Sequence, residues 1–159
     1  MAPPRLQRIT VAVDGSEFAQ RALDLAADLA VRYSGALEIV AVAPLVPVYV
    51  ASTEPWVPTE VPETEVARYR AVIDAAVASA EKAGVTSVTG LCLEGAIVDE
   101  LLNHIDANPP DLLVLGSRGL SAAKRLLLGS VSDAVAHHVK CPVLLVKSPD
   151  VATKPRSRS

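Results

Sequence analysis

Glycines and serines near the end of the chain are spaced so that they could bind a polyphosphate. Gly116 and Gly119 follow an apolar run, and Gly129 and Ser130 come after nine intervening residues. Glycine after a strand permits positive φ and a close approach of backbone to ligand. Gly129 precedes a predicted helix, whose free first-turn N–H groups and dipole favour an anion. Ser130 and Ser132 add hydroxyl donors, and these donors together indicate a chain of phosphates.

The same stretch also has simpler interpretations. Arg118, Lys124 and Arg125 could neutralise phosphate charge, although basic side chains of long loops often remain in water. Ser130 and Asp133 form an S-x-x-D pattern close to a capping box, so the serine could serve only as a helix cap. The first two glycines could simply form a tight turn. The pattern is neither a P-loop, which needs Gly-Lys-Ser/Thr, nor the GxGxxG fingerprint, expected after the first strand.

Asp14 follows the first apolar segment of the chain, RITVAV. One interpretation is a turn or helix-capping residue. The other is a polar anchor that accepts hydrogen bonds from an exocyclic amine or a ribose hydroxyl. Its position at the same predicted sheet edge as Gly116 favours the anchor.

The histidines and cysteines form no metal-ligand pattern. His137 and His138 are adjacent, so on a helix they point about 100° apart and cannot easily share a metal. We interpret these two and His104 as structural or solvated. Cys92 and Cys141 have no CxxC or Cys/His spacing and are predicted to be buried, unreactive thiols. No Ser/His/Asp set or carboxylate pair can be assembled, and no catalytic residue is predicted.

Alternating strands and helices would position these residues. The predicted strands are Arg8–Val13, Leu37–Val42, one within Val85–Leu93, Leu112–Leu115 and Pro142–Val146. The predicted helices run from the Ser16 cap to a C′ glycine at Gly35, from about Glu63 to Lys82 before Gly84, from Gly95 to the Asn108-Pro109-Pro110 break, and from Ser130 to Val139. The proline-rich segment Ala43–Pro62 is predicted to be a long loop.

Five strands alternating with four helices predict right-handed βαβ units. The fold class is therefore α/β, with a five-stranded parallel sheet and helices on both faces. A core of Val, Leu, Ile and Ala with few aromatic residues suits such a sheet. Ligands of these sheets bind beyond the carboxyl ends of the strands, where strand order reverses. Asp14, Val42 and Gly116 all fall at such ends.

The composition bounds the class of protein. The 159 residues fit a single domain, predicted over residues 1–147, followed by a polar tail over 148–159. A net charge of −3 gives no argument for binding nucleic acid or an anionic membrane. No apolar run approaches the roughly 20 residues that cross a bilayer. The N-terminus shows no apolar stretch with a cleavage site, and the expected location is the cytoplasm.

The chain resembles the universal stress protein family, in its ATP-binding subclass. The signature G-2x-G-9x-G-[S/T] is met without a gap by Gly116, Gly119 and Gly129-Ser130. The family's aspartate after the first strand matches Asp14 in AVDGS, and the resemblance extends to the ending CPVLLV. It covers about Arg8 to Lys147 and implies an adenine nucleotide alpha-hydrolase-like open sandwich.

The resemblance also implies a site for ATP. The residues near the base and ribose would be Ala12, Val13, Asp14, Val42, Leu115 and Gly116. The residues along the phosphates would be Arg118, Gly119, Gly129, Ser130, Val131 and Ser132. Asp14 would contact the adenosine, and Mg²⁺ would arrive with the nucleotide. Arg118 stands where some members have histidine, which leaves the ribose and phosphate geometry open.

The resemblance further implies a homodimer through the last strand, Pro142–Val146, whose apolar edge would otherwise be unpaired. The leading hypothesis is a nucleotide-dependent regulatory protein of the stress response with little or no catalysis. The alternatives are a slow ATP hydrolase, a cyclic-AMP-binding protein and an interaction module without nucleotide. The downstream partner is not indicated by the residues.

Overall fold

The computed structural model describes residues 5–46, 61–118 and 128–147. Its elements in chain order are β1 (Arg8–Ala12), α1 (Glu17–Tyr33), β2 (Ala36–Pro44), α2 (Glu63–Lys82), β3 (Val88–Gly95), α3 (Ile97–Ala107), β4 (Leu112–Gly116), α4 (Ser130–His138) and β5 (Val143–Val146). The predicted tail, 148–159, lies outside the described residues. Among the helices described, none is both long and apolar enough to traverse a bilayer.

The strands form a five-stranded parallel sheet in the order β3-β2-β1-β4-β5, as the alternation predicts. The chain proceeds from β1 through β2 to β3 on one side and then crosses to β4 and β5 on the other. Strand order therefore reverses between β1 and β4. In an open α/β sheet this reversal opens a crevice at the carboxyl ends of the two strands.

Helices cover both faces of the sheet and enclose two apolar clusters. On one face α1 and α2 pack on strand residues such as Val11 and Ile39. On the other face α3 and α4 pack on Val40, Val42 and Leu113. Because the inner strands are covered on both sides, successive residues of β2 are buried rather than alternately exposed.

Helix α1 begins at its predicted cap and ends before Gly35, with a left-handed serine as its C-cap. Ser16 is its N-cap, and the Ser16 hydroxyl accepts a hydrogen bond of 3.2 Å from the Ala19 amide. The left-handed residue at its end is Ser34, with φ 52°, and not Gly35. Gly35 is needed for space, because a Cβ there would overlap the carbonyl oxygen of Leu6. Because Ser34 is the C-cap of α1, Gly35 is the C′ residue as predicted, but the left-handed conformation falls on Ser34.

Helix α2 has the predicted bounds and the predicted glycine stop. Gly84 has φ 102°. The Gly84 amide donates to the Glu81 carbonyl at 3.0 Å, and the Val85 amide donates to the Ala80 carbonyl at 3.1 Å. This pair of hydrogen bonds is a Schellman motif, which satisfies the last carbonyls of the helix.

Several predicted boundaries move. Strand β2 continues to Pro44, because β3 pairs with it through Pro44 and Gly95. The predicted loop Ala43–Pro62 thus loses its first residues to β2, and its residues 47–60 lie outside the described part. Gly95, predicted to open α3, is instead the last residue of β3, with φ 140°. The remaining differences are shifts of one to three residues at element ends.

Candidate functional site

The turn after β1 presents Asp14 at the carboxyl edge of the sheet. The Asp14 Oδ1 atom accepts a hydrogen bond of 2.9 Å from the Ser16 amide, and Gly15 between them has φ 84°. This is an Asx turn that leads directly into the capped start of α1. The turn interpretation of Asp14 is therefore correct, and it fixes where the carboxylate lies.

The strand register brings the ends of β1, β2 and β4 level with one another. Val11 is opposite both Ile39 on β2 and Val114 on β4. Three residues further along each strand, Asp14, Val42 and Ser117 reach the same level at this edge. Neighbouring strands lie about 4.8 Å apart, so the strand ends that carry Asp14, Val42 and Gly116 are adjacent. The topology expected from the sequence is confirmed.

The apolar residues predicted for the site, some near the base and ribose and Val131 along the phosphates, fall on different faces of the sheet. Ala12, Val42, Leu115 and Val131 share the cluster beneath α3 and α4. Val13 instead packs into the cluster beneath α1 and α2, where it is 7% exposed. Only the main chain of Val13 is therefore at hand to line a cleft on the α3 side.

Gly116 is the last residue of β4, and its φ is not positive. Among the described glycines, those with a positive φ are Gly15, Gly84 and Gly95. A Cβ on Gly116 would lie 2.8 Å from the carbonyl carbon of Phe18. The glycine thus lets the end of β4 pack against the first turn of α1. The sequence analysis expected glycine here because it permits a positive φ. The structure instead requires glycine because a side chain would have no room.

Two hydrogen bonds join the end of β4 to the start of α4. The Gly129 amide donates to the Ser117 carbonyl at 2.7 Å. The buried Ser132 hydroxyl donates to the Gly116 carbonyl at 2.6 Å. In this structure the proton of that hydroxyl is therefore directed at the protein backbone. Ser132 as a phosphate ligand stays a prediction.

Helix α4 follows β4 in the chain and begins near the same carboxyl edge of the sheet. Its N-cap is Gly129, and no side chain caps the helix. Ser130 is the first helical residue and is exposed. The alternative in which Ser130 caps the helix is therefore wrong. The first-turn amides and the positive end of the helix dipole form the kind of end that favours an anion.

The basic residues of the motif are only partly described. Arg118 is half-buried and directly precedes the gap in the description. Its Cα would lie 3.1 Å from a Cβ added to Gly129, so both ends of the β4–α4 connection approach closely. Gly119, Lys124 and Arg125 lie outside the described residues, and their roles stay predictions.

Tyr69 lies on the buried face of α2, a helix that approaches the Asp14–Gly15 turn through Val72. The ring is 5% exposed. Burial raises the pKa of Tyr69, Arg68 lowers it, and the charges of Asp14 and Glu65 raise it further. The charge of Asp14 is thus one of the smaller influences on the Tyr69 phenol, although 55 positions separate the two residues in the sequence.

The histidines lie away from this edge or in solvent. His104 Nε2 is 3.0 Å from Glu38 Oε2, and Thr10 Oγ1 donates to the same oxygen at 3.0 Å. This group lies toward the amino ends of β1 and β2 and ties α3 to the sheet. His137 and His138 are exposed on α4. The structural or solvated interpretation is confirmed for these side chains.

Both cysteines are free thiols. The prediction was that both would be buried, but the structure shows them half-buried. Burial is the main cause that raises the pKa of Cys92 and of Cys141. Across ranges 5–46, 61–118 and 128–147, His, Cys, Asp and Glu form no group of three that could hold a metal ion.

Comparison with known proteins identifies the family. The sequence model of the Universal stress protein family matches residues 5–147. Universal stress protein YxiE of Bacillus subtilis (strain 168) is 34% identical over 148 residues, which cover 88% of this chain and 98% of that protein. The chain belongs to the universal stress protein family.

Solved structures show the same fold. A universal stress protein crystallised in complex with cAMP is 31% identical, with a TM-score of 0.67 over 90% of this chain and 98% of that chain. Universal stress protein UspA from Lactobacillus plantarum superposes with a TM-score of 0.77 at 23% identity, covering 89% of this chain and 98% of that one. The predicted fold, an adenine nucleotide alpha-hydrolase-like α/β sandwich, is confirmed.

Proposed function

We propose that this protein binds an adenine nucleotide, foremost ATP, and uses its occupancy to regulate a partner in the stress response. The main observation behind the proposal is the placement of two features at neighbouring strand ends. Asp14 follows β1, and α4, whose start has no side-chain cap, follows β4, so the two lie on either side of the point where strand order reverses. A carboxylate at one end and helix amides at the other suit a ligand with a sugar and phosphates. The family supports this assignment, because a member 31% identical to this chain was solved with cAMP.

The nucleotide would lie across the crevice with its base toward β2. Asp14 would accept hydrogen bonds from a ribose hydroxyl or the base amine, and Val42 and Ala12 would give the base an apolar surface. The main chain of Val13, Leu115 and Gly116 would border the ribose.

The phosphates would meet the β4–α4 connection. The proposed contacts are Arg118, Gly119, Gly129, Ser130, Val131 and Ser132. The exposed Ser130 hydroxyl and the first-turn amides are the donors that the described geometry supports best. Mg²⁺ would be carried by the phosphate oxygens of ATP, which are the hard ligands it prefers.

The proposal includes little or no hydrolysis. The carboxylate assigned to the site, Asp14, lies at the base and ribose end, away from the bond that hydrolysis would break. A slow ATP hydrolase is the corresponding alternative. Cyclic AMP is a second candidate ligand, favoured by the cAMP complex of the relative. Cyclic AMP has a single phosphate, so some of the proposed phosphate contacts on the β4–α4 connection would remain unused.

The proposal also includes a homodimer through β5 and a cytoplasmic location. Strand β5 is at one edge of the sheet, and its four residues are apolar and half-buried. Edge-to-edge pairing with a second copy would satisfy its outward main-chain groups. Free cysteines agree with a reducing compartment.

Titration of the purified protein with ATP-Mg, AMP and cyclic AMP tests the ligand. We expect binding of all three with ATP tightest, and co-purified nucleotide released by heat and identified by chromatography. A protein without bound nucleotide, and without a thermal shift in ATP-Mg, would contradict the proposal. ADP formed faster than in buffer would favour the hydrolase.

Ser130→Ala tests the phosphate end. Loss of a hydrogen bond to a charged group weakens binding by about 1.5–3 kcal/mol, or roughly 10- to 150-fold in Kd. The fold should persist, because Ser130 makes no capping bond. Ser87→Ala is the matched control, since Ser87 is exposed and precedes β3 at the amino edge. Equal ATP affinity for both variants would remove Ser130 from the site.

A further inference from the structure

We propose that Lys147 is a specificity-determining residue of the nucleotide site, whose side-chain charge favours ligands with several phosphates over those with one. The inference rests on the proposed function, because it assigns a role at the phosphate end of that same site. Lys147 directly follows β5 and lies outside the glycine motif. Its role would extend the phosphate end of the site from the β4–α4 connection to β5.

The main chain of Lys147 lies beside the end of β4. Gly116 is opposite Val146, the last pair in the register of β4 with β5. The Ser117 amide donates to the Val146 carbonyl at 2.9 Å, so the ladder continues by one residue and sets Lys147 opposite Ser117. Neighbouring strands are about 4.8 Å apart. Lys147 is therefore next to the residue with which the β4–α4 connection begins.

The side chain of Lys147 falls on the face of the sheet that α4 covers. Successive side chains of a strand point to opposite faces. Leu145 packs in the cluster beneath α3 and α4, and Val146 packs in the cluster beneath α1 and α2. Lys147 is the next position on the Leu145 side, and it is exposed. Its charge thus lies on the same side of the sheet as the first turn of α4.

Two hydrogen bonds hold that first turn over the strand end beside Lys147. The Gly129 amide donates to the Ser117 carbonyl at 2.7 Å. The Ser132 hydroxyl donates to the Gly116 carbonyl at 2.6 Å. The first-turn amides of α4, which are proposed phosphate donors, are therefore fixed to the part of β4 that pairs with Lys147 and the residue before it.

The described carboxylates do not engage the charge of Lys147. Within residues 5–46, 61–118 and 128–147, neither Lys147 nor Arg118 forms an ion pair. Asp133, in the first turn of α4, is instead 3.5 Å from His137. Lys147 and Arg118 thus bring two positive charges to adjacent strand ends. A lysine ammonium is a point charge on a flexible stem, which suits an extended chain of phosphates.

The charge of the ligand decides how much Lys147 contributes to binding. The triphosphate of ATP carries more negative charge than the single phosphate of cyclic AMP. Because Coulomb attraction grows with the charge and falls with distance, Lys147 would stabilise bound ATP more than bound cyclic AMP. The residue would therefore set the ratio of the two affinities and would contribute little to recognition of the base.

Lys147→Gln tests this role, because it removes the charge and keeps most of the side chain. In titrations of the full chain, the Kd of ATP-Mg should rise roughly three- to fivefold, the upper range for an exposed ion pair. The Kd of cyclic AMP should change by less than about twofold. Lys140→Gln is the matched control, since Lys140 is exposed and precedes β5 at the amino edge of the sheet. It should bind both nucleotides as the wild type does.

Salt dependence and a conservative variant supply readouts that a purely structural role would not move. The ATP-Mg affinity of the wild type should fall more steeply with added KCl than that of Lys147→Gln, because ions screen the lysine charge. Lys147→Arg keeps the positive charge and should retain the wild-type ratio of ATP affinity to cyclic AMP affinity.

The outcomes separate this inference from the proposed function. Wild type that binds ATP, with Lys147→Gln binding it equally well, overturns the role of Lys147 and leaves the proposed function intact. An equal loss of ATP and cyclic AMP affinity in Lys147→Gln, or an equal loss of ATP affinity in Lys140→Gln, overturns it as well. Wild type that binds none of the nucleotides overturns both. Weaker ATP binding in Lys147→Gln alone, with a shallower salt dependence, supports the inference.

Discussion

Side chains of the candidate site also hold the backbone that carries them. Asp14 closes the turn into α1 through its bond with the Ser16 amide, and Ser132 holds the end of β4 through the Gly116 carbonyl. Substitution at either position therefore changes local structure as well as ligand contacts. Ser130 makes no capping bond and is exposed, so it is the cleaner position at which to measure a phosphate contact.

The thiols provide a test of local environment. Because burial raises the pKa of both Cys92 and Cys141, the reactive thiolate is scarcer at neutral pH than in a free cysteine. We expect iodoacetamide to alkylate the folded protein more slowly than the urea-unfolded chain, and the folded rate to rise at higher pH. Mass spectrometry of time points across a pH series measures both rates. Equal rates at neutral pH would show that burial does not protect these thiols.

Individual residues differ in how far the sequence predicts them. Ser16 and Gly84 were predictable, because a cap and a Schellman stop depend on residues within one helical turn. Gly35 was predicted as the residue after the helix end and Gly116 as a glycine that permits positive φ, but neither signal indicated that a side chain would have no room there. Each is needed because a distant segment, near Leu6 or Phe18, passes too close for a Cβ. Such contacts are properties of tertiary packing and leave no local pattern.

Helix α3 is tied to the sheet by a polar group that the apolar pattern did not indicate. His104 and Glu38 are 66 positions apart, and the His104 side chain is 11% exposed. Thr10, 3% exposed, donates to the same carboxylate oxygen. The group fixes α3 on β1 and β2 at the opposite end of the sheet from Asp14.

His104→Ala should lower the free energy of unfolding by about 1–3 kcal/mol, because it leaves the half-buried Glu38 carboxylate with the Thr10 hydrogen bond but without the histidine. Urea unfolding followed by circular dichroism measures it. His137→Ala, at a side chain 73% exposed, should change stability by less, within about 0.5 kcal/mol. Because His104 is remote from the candidate site, ATP affinity should be unchanged. Equal stability of the two variants would show that the His104–Glu38 pair contributes nothing.

At the level of elements, the order and type of all nine described helices and strands could be predicted, and the ends were less certain. The apolar runs and helix periodicities are local signals. The extension of β2 to Pro44 depends on pairing with β3, which involves residues about 50 positions away. The inclusion of Gly95 in β3 has the same cause.

The whole molecule follows from the alternation of strands and helices, which restricts the fold to a parallel sheet covered on both faces. The site was predictable to the extent that topology gathers strand ends at one edge. The proximity of α2 to the Asp14–Gly15 turn was not, because Val72 approaches Gly15 only after the helix packs on the sheet. Gly119 stays a prediction, since it lies outside the described residues.

The proposed dimer can be tested at the outward main chain of β5. The Pro142 and Val146 carbonyls accept hydrogen bonds from β4, so the main-chain groups of Val143 and Leu145 point to the open edge. Leu145→Pro removes an outward N–H donor and should give a monomer of 16.6 kDa in sedimentation equilibrium. Leu145→Ala is the matched control, because it removes similar packing and keeps the donor, and it should stay dimeric like the wild type.

Circular dichroism would confirm that both Leu145 variants retain their helices. A wild type that sediments at the mass of a single chain would contradict the dimer. Monomers from the alanine variant would show that side-chain packing, and not the edge hydrogen bonds, holds the two copies together.

The hydrogen bonds that join β4 to α4 bear on the entropy of ligand binding. The Ser117–Gly129 and Gly116–Ser132 contacts fix both ends of the intervening connection when the chain folds. The entropic cost of bringing the two ends of the connection together grows with the logarithm of its length. Because folding already fixes these ends, this cost is part of the free energy of folding and does not lower the affinity for the ligand. Homologues with longer or shorter connections anchored in this way should therefore differ in nucleotide affinity through the contacts that the connection makes, and little through its length.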